Sequence, residues 1–231
     1  MTSIVTNEDC MELMKRYPDK YFDLAVVDPP YGIQQDGRTN HTRGCLAKSK
    51  TYLHQNRYDN SPPNKSCFDE LLRISKNQII FGANHFISRI PLDSSCWIVW
   101  DKQNGKTDFA DCELAWTSFE TAVRIFRFRW QGMLQGNMRE KENLIHPNHK
   151  PIALYDWIFK NYAKAGDKIL DTHGGSFSSR ISAYKAGLDF VGCELDKEYF
   201  DASEKRFQEF KANFTRFETG IDAKKQITMT L

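Results

Sequence analysis

The chain lacks several features that would assign it to a well-marked class of protein. Its six cysteines are scattered and form no C-x-x-C pair, so neither a disulfide framework nor a zinc site is predicted. No apolar run approaches the roughly 20 residues of a membrane-spanning helix. The first twenty residues contain no apolar h-region, as a secretory signal would. We therefore expect a cytoplasmic protein with reduced thiols, no metal and no membrane contact.

Size and hydrophobic content favour one α/β domain over residues 1–231. Predicted strands are 3–7, 22–27, 78–82, 96–100, 112–119, 121–128, 168–171 and 189–194. Predicted helices are 9–16, 68–75, 84–89, 151–164, 178–186 and 197–214. Strands that alternate with helices predict a Rossmann-like, doubly wound, mostly parallel sheet. The short spacing between 112–119 and 121–128 favours an antiparallel pair at one edge.

The segment from Asp171 to Asp196 has the pattern of a nucleoside-binding unit. A strand ends at Asp171, a glycine-rich turn follows, and the next strand ends at Glu194, 19 residues after Gly175. Such a turn lets backbone approach a ligand, and the acid accepts hydrogen bonds from ribose hydroxyls. Neither a G-x-G-x-x-G motif nor a phosphate loop is present. A ligand with a ribose but no phosphate, such as S-adenosylmethionine, fits better; the alternative is a plain βαβ unit with an exposed Glu194.

A second motif, Asp28-Pro29-Pro30-Tyr31, follows the apolar run 24–27 and so lies where a buried strand ends. It places a carboxylate, a backbone stiffened by two prolines and an aromatic ring at one edge of a sheet. Methyl transfer to the exocyclic amine of a base requires these three groups. The alternative is a rigid turn with a capping Asp28.

Five segments resemble motifs of amino-methylating DNA methyltransferases of the β group, in which the catalytic motif precedes the cofactor motif. The segment 28–31 matches their catalytic motif, 171–176 looks like their cofactor motif, 146–151 is similar to a His-Pro-x-x-Lys-Pro segment, 190–196 resembles the strand with the ribose-binding acid, and 7–10 resembles a Gly-Asp-Cys segment. The resemblance covers nearly the whole chain. It implies a permuted class I S-adenosylmethionine-dependent methyltransferase fold in a compact, solitary or phage-like member.

The resemblance also implies a set of cofactor-binding residues. They are Asp9, Lys150, Asp171, Thr172, His173, Gly175, Ser176 and Glu194. Lys150 would meet the cofactor carboxylate or steady the turn. The chain departs from the family pattern at Phe177, where the family usually has glycine. A ring that points into the pocket would weaken or abolish cofactor binding, whereas a ring that points into the core would leave the turn intact.

The resemblance makes Asp28, Pro29, Pro30 and Tyr31 the catalytic residues. The lone pair of an exocyclic amine is delocalised into the base, so the nitrogen is a poor nucleophile. Hydrogen bonds from its N–H groups to Asp28 and to the carbonyl of Pro29 would free that lone pair. Tyr31 would stack on the base after it leaves the duplex, and Asp28 would help to accept the departing proton.

Two segments are candidate contacts with double-stranded DNA. In 121–139, Arg124, Arg127 and Arg129 interleave with aromatic residues, and period-two alternation places Arg127 and Arg129 on one face of a strand. These arginines either contact phosphates or simply lie in water at a sheet edge. The second segment is the long polar stretch 34–66, of a length typical of functional or disordered loops. Its candidate phosphate contacts are Arg38, Arg43, Lys48 and Lys50.

Asp at position 28 favours adenine N6 as the target by family analogy, although cytosine offers the same amine geometry. A cytosine-N4 or RNA amino-methyltransferase is therefore an alternative. A catalytically inactive DNA-binding remnant is another, and Phe177 is the residue that suggests it. The sequence leaves the recognition site, a restriction partner and the choice between monomer and homodimer open.

Overall fold

An eight-stranded sheet with helices on both faces dominates the computed structural model, which describes residues 1–33, 59, 61–105, 110–131, 134–139 and 141–229, with side chains up to residue 214. The strands are β1 Ser3–Thr6, β2 Phe22–Val27, β3 Ser75–Phe81, β4 Trp97–Asp101, β5 Cys112–Thr117, β6 Arg124–Arg127, β7 Trp130–Gln131, β8 Leu134–Gln135, β9 Lys168–Asp171 and β10 Asp189–Cys193. The helices are α1 Cys10–Met14, α2 Lys65–Ile74, α3 Ile152–Tyr162, α4 Ser178–Lys185 and α5 Lys197–Met229. Strands β7 and β8 form a separate small hairpin.

The order of the main sheet is β1-β10-β9-β2-β3-β5-β4-β6, and β5 alone runs antiparallel to its neighbours. The predicted mostly parallel α/β sheet is confirmed. The predicted pairing of 112–119 with 121–128 is wrong, because β4 takes the place beside β5 and β6 pairs with β4 at the edge. Burial explains the arrangement. Ala115 and Trp116 of β5 are fully buried, which an interior strand allows and an edge strand does not.

Side chains of β2 alternate between two hydrophobic layers, as a doubly wound fold requires. Ala25 and Val27 pack in the layer formed with α1 and α2. Leu24 and Val26 pack in the layer formed with α3. Because both faces of β2 are covered, the strand reads as a continuous apolar run rather than an alternating one.

Two helix predictions differ from the structure. The predicted helix 84–89 is a pair of short 3₁₀ turns, Ala83–His85 and Ile87–Arg89. These turns follow Gly82, whose φ of +67° turns the chain sharply at the end of β3. Helix α5 continues beyond residue 214 to Met229. Among the described helices, none is long and apolar enough to cross a bilayer, and the assignment of residues 1–231 to one domain stays a prediction.

Candidate active site

The predicted site residues follow the carboxyl ends of neighbouring strands. Strand β2 pairs directly with β9, and β9 pairs with β10. Neighbouring strands lie about 4.8 Å apart, so Asp28, Asp171 and Glu194 come from three successive strand ends. From β2 the chain moves to β3 on one side, and from β9 it moves to β10 on the other. This reversal between β9 and β2 is the position at which doubly wound sheets bind ligands.

Asp171 shapes the glycine-rich turn after β9. Its Oδ2 accepts a hydrogen bond from Ser179 Oγ at 2.5 Å, and its Oδ1 accepts one from the backbone N–H of His173 at 3.1 Å. Burial raises the pKa of Asp171 to about 7, although both hydrogen bonds oppose the shift. Because the carboxylate is 2% exposed and bonded inward, Asp171 fixes the path of the turn rather than projecting into open space.

Glu194 spans the turn and the end of β10. Its Oε2 accepts a hydrogen bond from Gly175 N at 2.7 Å, and its Oε1 accepts one from Asp196 N at 2.8 Å. Burial raises the pKa of Glu194, while the two backbone hydrogen bonds oppose the shift. Each carboxylate oxygen keeps a second acceptor site, so Glu194 can also take both hydroxyls of a ribose. The residues present therefore fit a nucleoside cofactor.

The ring of Phe177 points into the core. The residue is 1% exposed, and its ring packs against Phe190 at 6.1 Å. Gly174 and Gly192 leave room for it, since a Cβ on either would lie 2.2 or 2.7 Å from Phe177 Cε1. Its φ of +49° costs roughly 1–2 kcal/mol and explains why glycine suits this position. Burial of a phenylalanine side chain contributes about 1.5–3 kcal/mol, which offsets the strain.

The remaining predicted cofactor residues bond mainly to the protein itself. The Oδ1 of Asp9 caps α1 by accepting from Met11 N at 2.8 Å. Thr172 Oγ1 lies 2.9 Å from His173 Nδ1. Ser176 is buried, and its Oγ lies 3.2 Å from Ser178 Oγ. Their roles toward a cofactor stay predictions.

The ammonium of Lys150 lies with the catalytic motif. Tyr31 OH donates a hydrogen bond to Asp28 Oδ1 at 2.7 Å. Lys150 Nζ forms an ion pair with Asp28 Oδ2 and donates a hydrogen bond to Tyr31 OH at 3.2 Å. Lys150 is 5% exposed. The structure thus gives the ammonium protein partners around Asp28, and its contact with a cofactor carboxylate stays a prediction.

A partly buried network, which no motif in the sequence indicates, anchors the segment that carries Lys150. Glu142 Oε2 pairs with Arg206 of α5 at 2.6 Å, and its Oε1 accepts a hydrogen bond from Ile152 N at 2.9 Å. The same Arg206 donates to the carbonyl of Ser176 at 2.9 Å. The start of α3 is therefore tied to the cofactor turn, which fixes where Lys150 lies. No local pattern in the sequence signals contacts over such separations.

The ring of Tyr31 is enclosed by the segment that follows β3. It stacks on the exposed ring of His85, with centroids 5.1 Å apart and planes 15° from parallel. Gly82 lies against the same ring, since a Cβ there would be 2.1 Å from Tyr31 Cε1. Burial raises the pKa of Tyr31 well above its usual value, with the charges of Asp28 and Glu113 adding to the shift. Tyr31 therefore stays a neutral donor to Asp28.

The arginines of β6 and of the residues that follow it lie toward opposite ends of the strand. Because β6 runs in the same direction as β2, Arg127 and Arg129 lie at the edge that carries Asp28. Arg124 begins the strand and lies about 10 Å away, toward the opposite edge. Exposure alternates as expected, with Arg127 and Arg129 outward and Phe126 inward. Arg38, Arg43, Lys48 and Lys50 lie outside the described residues.

Comparison with known proteins points to one family. The sequence profile of the DNA methylase family, of N6/N4 type, matches residues 22–205. The type II methyltransferase M.HinfI of Haemophilus influenzae is 25% identical over 245 residues, which cover 89% of this chain and 68% of that protein.

Solved structures share the fold at low sequence identity. The M1.HpyAVI–SAM complex superposes with a TM-score of 0.57 at 17% identity, over 89% of this chain and 98% of that chain. The cytosine-N4-specific PvuII DNA methyltransferase gives 0.59 at 12% identity, over 94% of this chain and 92% of that chain.

Proposed function

Because this chain belongs to the DNA methylase family and is a DNA methyltransferase that uses S-adenosylmethionine, we propose that its target is the N6 amino group of adenine in double-stranded DNA. The observation that carries the proposal is the meeting of two neighbouring strand ends. Strand β2 presents the Asp28 motif, and β9 presents the glycine-rich turn that Glu194 spans. One small molecule can lie across both.

In this proposal the protein's residues bind the cofactor and the base, align the two, and accept a proton from the amine. The cofactor, when bound, supplies an electrophilic methyl group on its sulfonium. Glu194 binds the ribose hydroxyls. Asp28 and the carbonyl of Pro29 accept hydrogen bonds from the amine of the extruded base, which makes its nitrogen a better nucleophile. Pro30 restricts the backbone behind that carbonyl. Asp28 then accepts the proton that the nitrogen loses on methylation.

The choice of adenine rests on Asp at position 28. The fold does not discriminate, because the likeness extends to an enzyme named as cytosine-N4-specific. The same chemistry on cytosine N4 or on RNA is the alternative. Phe177 is the residue that suggests an inactive remnant, and the buried position of its ring supports an intact glycine-rich turn instead.

Expression in a host without DNA methylation, followed by sequencing for modified bases, tests the proposed target. We expect N6-methyladenine at one short recognition sequence. DNA from cells that express an Asp28→Ala variant should carry none. N4-methylcytosine at the recognition sequence would contradict the choice of base, and unmodified DNA together with methylated RNA would contradict the choice of nucleic acid.

Gly82→Ala is expected to lower turnover by about 100-fold, since a misplacement of 1 Å near an active site can cost that much. The new methyl group would overlap the Tyr31 ring and move its hydroxyl away from Asp28. Gly187→Ala is a matched control, because φ is +69° there against +67° at Gly82 and nothing lies within 4 Å of the added Cβ. Urea unfolding should show the strain of a positive φ in both variants and a larger loss of stability in Gly82→Ala. Steady-state methyl transfer, measured on folded protein, should fall only in Gly82→Ala. Equal turnover would contradict this account of the Tyr31 ring.

Arg127 and Arg129 are expected to contact DNA phosphates, because both are exposed at the edge that carries Asp28. Replacing either by alanine should weaken DNA binding and reduce the slope of log affinity against log salt by about 0.9 for each lost contact. Arg124→Ala, toward the opposite edge, should change the slope less. Fluorescence anisotropy over a salt series measures all three. An unchanged slope for Arg127→Ala and Arg129→Ala would show that these arginines only face solvent.

A further inference from the structure

Four side chains of alternating charge form a row that begins at Asp28 of the proposed catalytic motif. Lys150 Nζ pairs with Asp28 Oδ2 and lies 3.1 Å from Glu113 Oε2. The other carboxylate oxygen of Glu113, Oε1, pairs with Lys102. The ammonium of Lys150 also lies 4.8 Å from the centre of the Phe81 ring. Each charge in the chain Asp28, Lys150, Glu113, Lys102 therefore has a neighbour of opposite sign, and Lys150 joins the two carboxylates.

The antiparallel strand β5 brings Glu113 to this position. Because β5 runs opposite to β3 and β4, its first residues lie at the edge where the other strands end. Glu113 is in register with Trp100 of β4, and Lys102 follows the end of that strand. A parallel strand in the same place would have carried its second residue to the far edge of the sheet.

Both central members of the cluster are charged at neutral pH. Burial raises the pKa of Glu113, but the charges of Lys150 and Lys102 outweigh it and lower the pKa to about 2. Burial lowers the pKa of Lys150, but Asp28 and Glu113 outweigh it and raise the pKa. Asp28 thus works beside a fixed positive charge that is itself partly neutralised.

We propose that Lys150 and Glu113 are positioning residues for Asp28. Lys150 holds the carboxylate in place through its ion pair, and Glu113 limits the positive charge that the carboxylate experiences. Asp28 can then hold the target amine and still accept its proton. This inference rests on the role given to Asp28 in the proposed function, and it adds two residues that do not touch the base.

The two positioning residues should act in opposite directions. Without the charge of Glu113, the ammonium of Lys150 is neutralised less, so Asp28 becomes a weaker proton acceptor. Without Lys150, Asp28 faces the negative charge of Glu113, so Asp28 becomes a stronger proton acceptor. The other ionisable groups that act on Asp28 or on this cluster are the same in both variants and cancel in the comparison. They are Tyr31, Lys102, Tyr155, Asp171 and His173.

The test is the single-turnover methylation rate of the full chain as a function of pH, with saturating S-adenosylmethionine and the methylatable DNA. For Glu113→Gln we expect the acid limb to move to lower pH and the plateau rate to fall about tenfold. For Lys150→Met we expect the acid limb to move to higher pH. Glu113→Asp should restore part of the rate. Glu70→Gln is the control, because Glu70 has the same 21% side-chain exposure as Glu113 and pairs with Arg73 away from the site.

Calorimetry with S-adenosylmethionine should give unchanged affinity for Glu113→Gln, which separates positioning from loss of structure. If Lys150→Met does not fold, Lys150→Arg replaces it, and retention of the charge should keep the acid limb near that of the wild type. A folded Glu113→Gln variant with an unmoved limb and an unchanged rate would overturn this inference while leaving the proposed function intact. A wild-type protein that methylates no DNA would overturn both.

Discussion

Asp28→Asn is expected to lower turnover by about 1,000-fold or more, within the upper range for removal of a general base, and to leave the affinity for S-adenosylmethionine nearly unchanged. The asparagine amide keeps the shape of the carboxylate but offers one acceptor oxygen and no site for the proton. The fold should survive, since Lys150 keeps Glu113 as a partner. Single-turnover methylation and calorimetry measure the two quantities separately.

Asp23→Asn controls for the loss of a paired carboxylate from the same strand. Asp23 lies near the start of β2, at the opposite edge of the sheet, and pairs with Lys76 at 2.7 Å. Its replacement should reduce stability without reducing turnover. If Asp28→Asn instead lost cofactor binding and kept its rate at saturating cofactor, the role assigned to Asp28 would be wrong.

Glu194→Ala is expected to have the reverse effect of Asp28→Asn. It should lower the affinity for S-adenosylmethionine more than it lowers the turnover at saturating cofactor. Two hydrogen bonds from ribose hydroxyls to a carboxylate contribute about 1.5–3 kcal/mol each, so binding should weaken about 100-fold or more. The variant also removes the acceptor for Gly175 N, which loosens the turn in the same direction. Calorimetry with S-adenosylmethionine measures the loss, and a saturating cofactor concentration should recover part of the turnover.

A control for Glu194 is available on the same strand. Asp189 begins β10, and its Oδ1 accepts a hydrogen bond from Thr2 N at 2.5 Å, at the edge away from the site. Asp189→Asn should bind the cofactor like the wild type. Wild-type affinity in Glu194→Ala would remove the ribose contact from this account, and equal losses in both variants would point to a general effect on the strand.

The strand ends that form the site could be predicted from local patterns. Strands β2 and β9 have the bounds expected from the sequence, Phe22–Val27 and Lys168–Asp171. Each is an apolar run that stops at an acid and turn-forming residues, a signal contained within a few neighbouring residues. A parallel sheet does not by itself fix the order of its strands, so the pairing of β2 with β9 is expected only if the two motifs serve one reaction, as proposed.

The partners of Lys150 could not be predicted in the same way. Its contact with Tyr31 joins residues 119 positions apart, and its approach to Glu113 depends on the placement of β5 between β3 and β4. The sequence of a strand indicates which of its side chains face the core, but not which strands lie beside it. The conformation of Phe177 is a further case, because the space for its ring comes from Gly174 and Gly192, and Gly192 lies on another strand.

The central claim is that the ends of β2 and β9 form one active centre. A crystal structure with S-adenosylhomocysteine and an unmethylated DNA duplex that contains the recognition sequence tests it most directly. We predict the ribose hydroxyls on Glu194 and the amino nitrogen of an extruded adenine within hydrogen-bonding distance of Asp28. The cofactor sulfur should face that nitrogen, so that the methyl carbon of S-adenosylmethionine in the same position would lie about 3–3.5 Å from it. A cofactor bound away from Glu194, or an amino group held by side chains other than Asp28, would contradict the account.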